Sequence, residues 1–141
     1  MGQALHRSIL CVIASLVLTS CMALGPENKP RRLQNSADYY NKAIRWGEYE
    51  RAIAFLEKDQ QESAYRAVKG LKDIRVTSYE IKRQALSPDS NSAEFVVQFT
   101  YFNEYSARER EYIDNQKWVW HDEEGVWRVQ GPLPRFEVLR R

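Results

Sequence analysis

Ala93–Tyr105 reads AEFVVQFTYFNEY, and this stretch decides the fold class. Most of its positions are β-branched or aromatic, and such side chains lose rotamer freedom in a helix but fit a pleated surface. The run predicts a long strand with both faces partly apolar. Ile74–Leu86 (IRVTSYEIKRQAL) has the same two-residue period, and Ser87–Ser92 (SPDSNS) between them is a turn cluster. Downstream, Ser106–Glu109 turns the chain into a third strand, Arg110–His121, which ends in Trp118-Val119-Trp120. Asp122–Gly125 is a tight polar turn, and Val126–Gln130 (VWRVQ) completes an antiparallel meander. Gly131-Pro132-Leu133-Pro134 stops it and leaves Phe136 to pack near an edge.

Before Gly70 the period is helical. Asn35 and Ser36 are good N-cap residues, with Asp38 in the first turn where the helix dipole favours an anion. Tyr40, Ala43, Ile44 and Gly47 follow at helical spacing; Tyr49, Ala52, Ile53 and Leu56 repeat it, with Gly47 as the break. A third, weaker helix is predicted over Gln61–Lys69, with Gly70 as its stop. Helices followed by four antiparallel strands make an α+β domain over residues 36–137. Ile53, Phe99, Trp118 and Trp127 are expected in its core.

The chain has 141 residues, of which 43% are hydrophobic and 28% charged, values that fit one soluble domain and exclude wholesale disorder or a fibrous repeat. A formal charge of +2 is too small for a phosphate-tracking surface, so no nucleic-acid partner is expected. Two cysteines make neither a disulfide scaffold nor a four-thiolate zinc site.

Ile9–Leu18 (ILCVIASLVL) is an unbroken apolar run of ten residues. It is too short to span a bilayer but has the length of a secretory signal's apolar core. Leu18-Thr19-Ser20-Cys21 resembles the lipobox of bacterial lipoproteins. That resemblance implies residues 1–20 as a signal peptide and Cys21 as the acylated first residue, its lipid partnering the membrane. Met22 stands where an Asp would resemble an inner-membrane retention signal, so the expected location is the outer membrane, with the domain facing the periplasm. Cys11 leaves with the signal. Residues 21–35, with two prolines and Lys29, Arg31 and Arg32, read as a flexible tether, and residues 138–141 as a basic tail.

Two further resemblances concern the domain. Tyr39–Leu56 (YYNKAIRWGEYERAIAFL) is similar to one tetratricopeptide hairpin, but no second copy follows at a 34-residue period, so it reads as a single helical hairpin. Residues 36–137 resemble the NTF2-like, or cystatin-like, cone found in small proteobacterial lipoproteins. The features are Tyr40, Arg45-Trp46, Tyr49 and Ala52, the helix-to-sheet change near Gly70, and the ending Trp118…Trp127 then Pro132-x-Pro134-x-Phe136. The resemblance implies a helical hairpin on a curved four-stranded antiparallel sheet, open at one end. Some members are ketosteroid-isomerase-like enzymes; many only bind ligands or proteins.

An enzyme of that kind needs an acid–base pair on the inner wall. Asp114, on one strand face with Tyr112, Gln116, Trp118 and Trp120, and Tyr40 are candidates. The plainer alternative is an edge carboxylate paired with Arg or Lys. His121 with Asp122, Glu123 and Glu124 defines no metal geometry, so no metal or cofactor is expected. No Gly-rich phosphate loop or nucleophile elbow is present. The expectation is therefore a non-catalytic envelope lipoprotein binding a small apolar ligand or an envelope protein. Its contact surface is expected at Tyr101, Trp118 and Trp120, because aromatics give contact area at little rotamer cost.

Overall fold

The computed structural model describes residues 29–106 and 108–137. The signal segment, Cys21 and residues 138–141 lie outside them. The chain runs through helices α1 (Lys29–Arg45), α2 (Tyr49–Ile53) and α3 (Lys58–Val68), then a short 3-10 turn at Lys69–Leu71. Strands β1 (Ile74–Leu86), β2 (Ser92–Asn103), β3 (Glu109–His121) and β4 (Val126–Gln130) follow as one antiparallel sheet in sequence order. The α+β meander is as the alternation predicts, and the sheet is curved. Register shifts in β1 between Val76 and Ser78 and between Ile81 and Arg83 add unpaired residues, which bend a strand.

The helices pack on the inner sheet face. On β2 the odd-numbered residues Ala93, Phe95, Val97, Phe99 and Tyr101 point inward and are buried. Leu33, Ala37, Tyr40 and Ile44 form the buried stripe of α1 against them. Trp118 is the centre, with its ring 5.7 Å from Tyr40 and 6.4 Å from both Phe55 and Phe95, all edge-on. Ile53, Phe99, Trp118 and Trp127 are all buried, as expected. Phe136 closes the lower end, 4.8 Å from Tyr101 and 6.0 Å from Phe99. The free edge of β4 is covered by the chain at Phe55–Glu57: Val129 N donates to Phe55 O at 2.7 Å and Glu57 N to Val129 O at 3.1 Å.

The tether expectation is corrected at its C-terminal end, because α1 begins at Lys29, not at Asn35 or Ser36. Residues 29–34 are thus already helical, upstream of the expected cap. Tertiary contacts then fix the turn. Lys29 Nζ donates to Asn91 Oδ1 (2.7 Å) and Asp122 Oδ1 (3.0 Å), and its carbonyl accepts from Trp127 Nε1 at 2.9 Å. Arg32 Nη1 donates to Gly125 O at 2.7 Å, and Leu33 is buried. Gly47 does break the hairpin: its φ of +71° suits glycine and strains other residues. Among the described residues no helix is long and apolar enough to cross a membrane.

Candidate functional site

The inner wall carries a buried polar network. Along β3, Asp114, Gln116 and Trp118 face inward in alternation, with Val97, Phe95 and Ala93 opposite them on β2. Gln116 Nε2 donates to Asn41 Oδ1 (2.8 Å) on α1 and to Asp114 Oδ2 (2.9 Å), and Gln116 Oε1 accepts from Trp118 Nε1 at 3.3 Å. Asp114 thus faces the core with a neutral partner and, among the described residues, no Arg or Lys paired to it, against the edge-carboxylate alternative. Burial pushes its carboxyl up to about 6, although the Gln116 hydrogen bond pulls the other way. Tyr40, wholly buried, has its hydroxyl raised by burial and then by nearby Asp114 and Tyr112.

This network does not make an open acid–base site. Among the described residues the Tyr40 hydroxyl has no hydrogen-bond partner, so it is not bonded to Asp114. The cleft touching Asp114, between β3 and Gly131–Leu133, holds about 230 Å³, below the roughly 300–1,000 Å³ of ligand sites. The cone interior is occupied by Tyr40, Phe55, Phe95 and Trp118.

The expected aromatic contact surface is also divided. Trp118 is 0% exposed and Tyr101 only 2%, its hydroxyl accepting from Glu137 N at 3.1 Å, so both are core. The alternation of β3 put Trp118 on the inner face, and the helices and Phe136 then filled that face. Trp120 is half-buried, with Lys29 Nζ 5.2 Å from its ring and its Nε1 donating to Asp122 Oδ1 at 2.7 Å. It clamps the start of α1. The acidic turn is likewise used internally: Lys58 and Arg128 hold Glu124 down to about 2, and hydrogen bonds from Lys29 and Trp120 lower Asp122. His121 Nε2 lies 3.0 Å from Glu57 Oε1. No group of three or more metal-ligating side chains forms among the described residues.

A roomier feature lies elsewhere. A groove of about 1,040 Å³ opens where the end of α1, the end of α3 and the start of β1 meet. Tyr49, Leu71, Ile74 and Val76 form its buried floor, and Trp46 and Tyr65 stand at its rim, 71% and 49% exposed. Arg45 stacks 4.8 Å over Trp46 while its Nη1 donates to Val76 O at 2.5 Å. Lys69, Lys72 and Arg75 line the wall, against the single carboxylate Glu50. Arg75 is paired with Glu104 at 2.7 Å; Lys69 and Lys72 have no ion pair among the described residues. Tyr49 has a buried hydroxyl with no hydrogen-bond partner among the described residues, raised to about 12 by burial even though Arg75 opposes the shift. Such an orphan costs on the order of 1–3 kcal/mol. Sequence reading took Gly47 as a helix break and Trp46 and Tyr49 as features of the fold, and placed no groove there. The signal available was Lys69, Lys72 and Arg75 at three-residue steps across the helix-to-strand change, beside Arg45-Trp46.

Solved structures match this architecture. A calcium/calmodulin-dependent kinase II association domain homologue from Exiguobacterium sibiricum superposes with TM-score 0.57 at 13% identity, covering 75% of this chain and 91% of that one. A ketosteroid isomerase-like protein from Erwinia carotovora gives 0.55 at 14% identity over 74% and 93%. A cystatin-like protein of unknown function from Nostoc punctiforme gives 0.50 at 10% identity over 70% and 86%. The fold is NTF2-like. At these identities the likeness concerns fold alone. No family model and no curated protein sequence matches the chain.

Proposed function

We propose that this chain is a bacterial envelope lipoprotein, held in the outer membrane by lipid on Cys21, whose NTF2-like domain binds a partner protein in the periplasm without catalysis. The lipobox-like Leu18-Thr19-Ser20-Cys21 after a ten-residue apolar run supports the anchor. One observation carries the binding reading: the cone is filled by Trp118 and Tyr40, both 0% exposed, while the open volume lies outside it under Trp46. Trp, Tyr and Arg, which line that groove, are the residues that dominate protein contacts. Its cations make it a poor home for a purely apolar ligand. Two or three acyl chains on Cys21 anchor durably, where one holds only weakly.

The test of the anchor is the intact mass of the exported protein. It begins at Cys21 with acyl mass added, and Cys21→Ser abolishes both processing and membrane retention. A Cys21→Ser protein processed and retained as before refutes it.

An isomerase or dehydratase is favoured by one observation, the raised Asp114 carboxyl near Tyr40. That reading requires both groups to reach one substrate, and the Tyr40 hydroxyl is sealed in the core.

A further inference from the structure

We propose that the groove under Trp46 takes an acidic, aromatic-bearing segment of a partner polypeptide, its carboxylates meeting Lys69 and Lys72 and its apolar side chains lying on Tyr49, Leu71 and Ile74. This rests on the partner-binding reading above and names the partner's chemistry. Charge complementarity carries it: Arg45, Lys69, Lys72 and Arg75 line the groove against Glu50, and the two lysines are exposed and lack ion pairs among the described residues.

Size and place select a polypeptide. At about 1,040 Å³ the groove is at or beyond the upper end of small-molecule sites, roughly 300–1,000 Å³. It is concave, whereas a bilayer surface meets a protein's convex face. Trp46 follows the C-terminal end of α1, whose 17 residues extend about 25 Å. In sequence, Cys21 precedes the other end of α1. Residues 138–141 (VLRR) carry two arginines and no acidic side chain, so this segment does not complement it either.

The experiment uses the full acylated chain in phosphatidylcholine nanodiscs, labelled with fluorotryptophan and followed by fluorine NMR. The Trp46 signal is assigned with Trp46→Phe. The probe is a synthetic peptide of alternating glutamate and phenylalanine, with glutamine replacing glutamate in the control. The expected result is a saturable shift of Trp46, with Trp118 unmoved, and an affinity at least about tenfold weaker for the glutamine peptide. Lys69→Glu with Lys72→Glu, both on the surface, should weaken acidic-peptide binding similarly without changing Tm. Equal binding of both peptides at Trp46 overturns the acidic assignment but leaves the groove as a binding site. A Trp46 shift caused by phosphatidylglycerol nanodiscs, or by raising the protein concentration, with no response to peptide, overturns it in favour of a membrane or a second copy. If no probe moves Trp46, both this inference and the partner-binding reading fall.

Discussion

Replacing Asp114 by Asn should stabilise the protein at neutral pH and leave it little changed in acid. The Asp114 carboxyl sits at about 6 in the fold against 3.8 for the ordinary group. Between those values the folded state holds a proton that the unfolded chain has released, so stability falls as pH rises through this window. The two-unit gap makes the cost about 3 kcal/mol near pH 7.5 but only about 0.5 kcal/mol near pH 4. Asn keeps the acceptor that Gln116 Nε2 reaches at 2.9 Å and carries no charge to desolvate. Its new amide donor costs up to about 1–3 kcal/mol in this site and leaves a gain of at most about 2 kcal/mol near neutral pH. Urea unfolding of both proteins across pH 4 to 8 measures this, and the difference between them isolates Asp114 from other titrating groups. A gap that widens toward neutral pH is the expected result. A constant gap, or wild type becoming more stable than Asp114→Asn as pH rises, refutes the burial argument.

The fold carries its own tests. Trp118→Ala empties the centre of the aromatic cluster and should cost about 3–5 kcal/mol by chemical unfolding, enough to unfold a marginal domain. Leu33→Ala should cost about 2–5 kcal/mol if α1 truly begins at Lys29, whereas a residue in a flexible tether would lose nothing measurable. Gly47→Ala should cost about 1–2 kcal/mol through its positive φ alone, since no atom lies within 4 Å of the added methyl.

Much of this fold is written locally. Val, Phe and Tyr at alternating positions put β2 in the sheet, and the Ser87–Ser92 and Asp122–Gly125 clusters set its turns. The inward face of β3 was legible too, because alternation forces Asp114, Gln116 and Trp118 to share one side. The start of α1 was not: Lys29-Pro30-Arg31-Arg32 has no apolar stripe, and its order comes from Asn91, Asp122, Gly125 and Trp127, all more than 60 residues away. The same limit hid the groove. Arg45-Trp46, Tyr65, and Lys69 with Lys72 belong to different segments, and only the packing of α1, α3 and β1 gathers them. Periodicity says which residues turn inward. Whether the inward space stays open depends on the volumes meeting there, and Tyr40, Phe55 and Trp118 together fill it.

The central claim is that contact is made at the Trp46 groove and not through the inner sheet face. Site-specific photo-crosslinking in intact Gram-negative cells exporting the full chain tests this directly, with the crosslinker placed at position 46 in one protein and position 120 in another. The expected result is a discrete adduct from position 46 that is lost with Lys69→Glu and Lys72→Glu, and none from position 120. An adduct from position 120 alone, or one at 46 indifferent to those two charges, contradicts it.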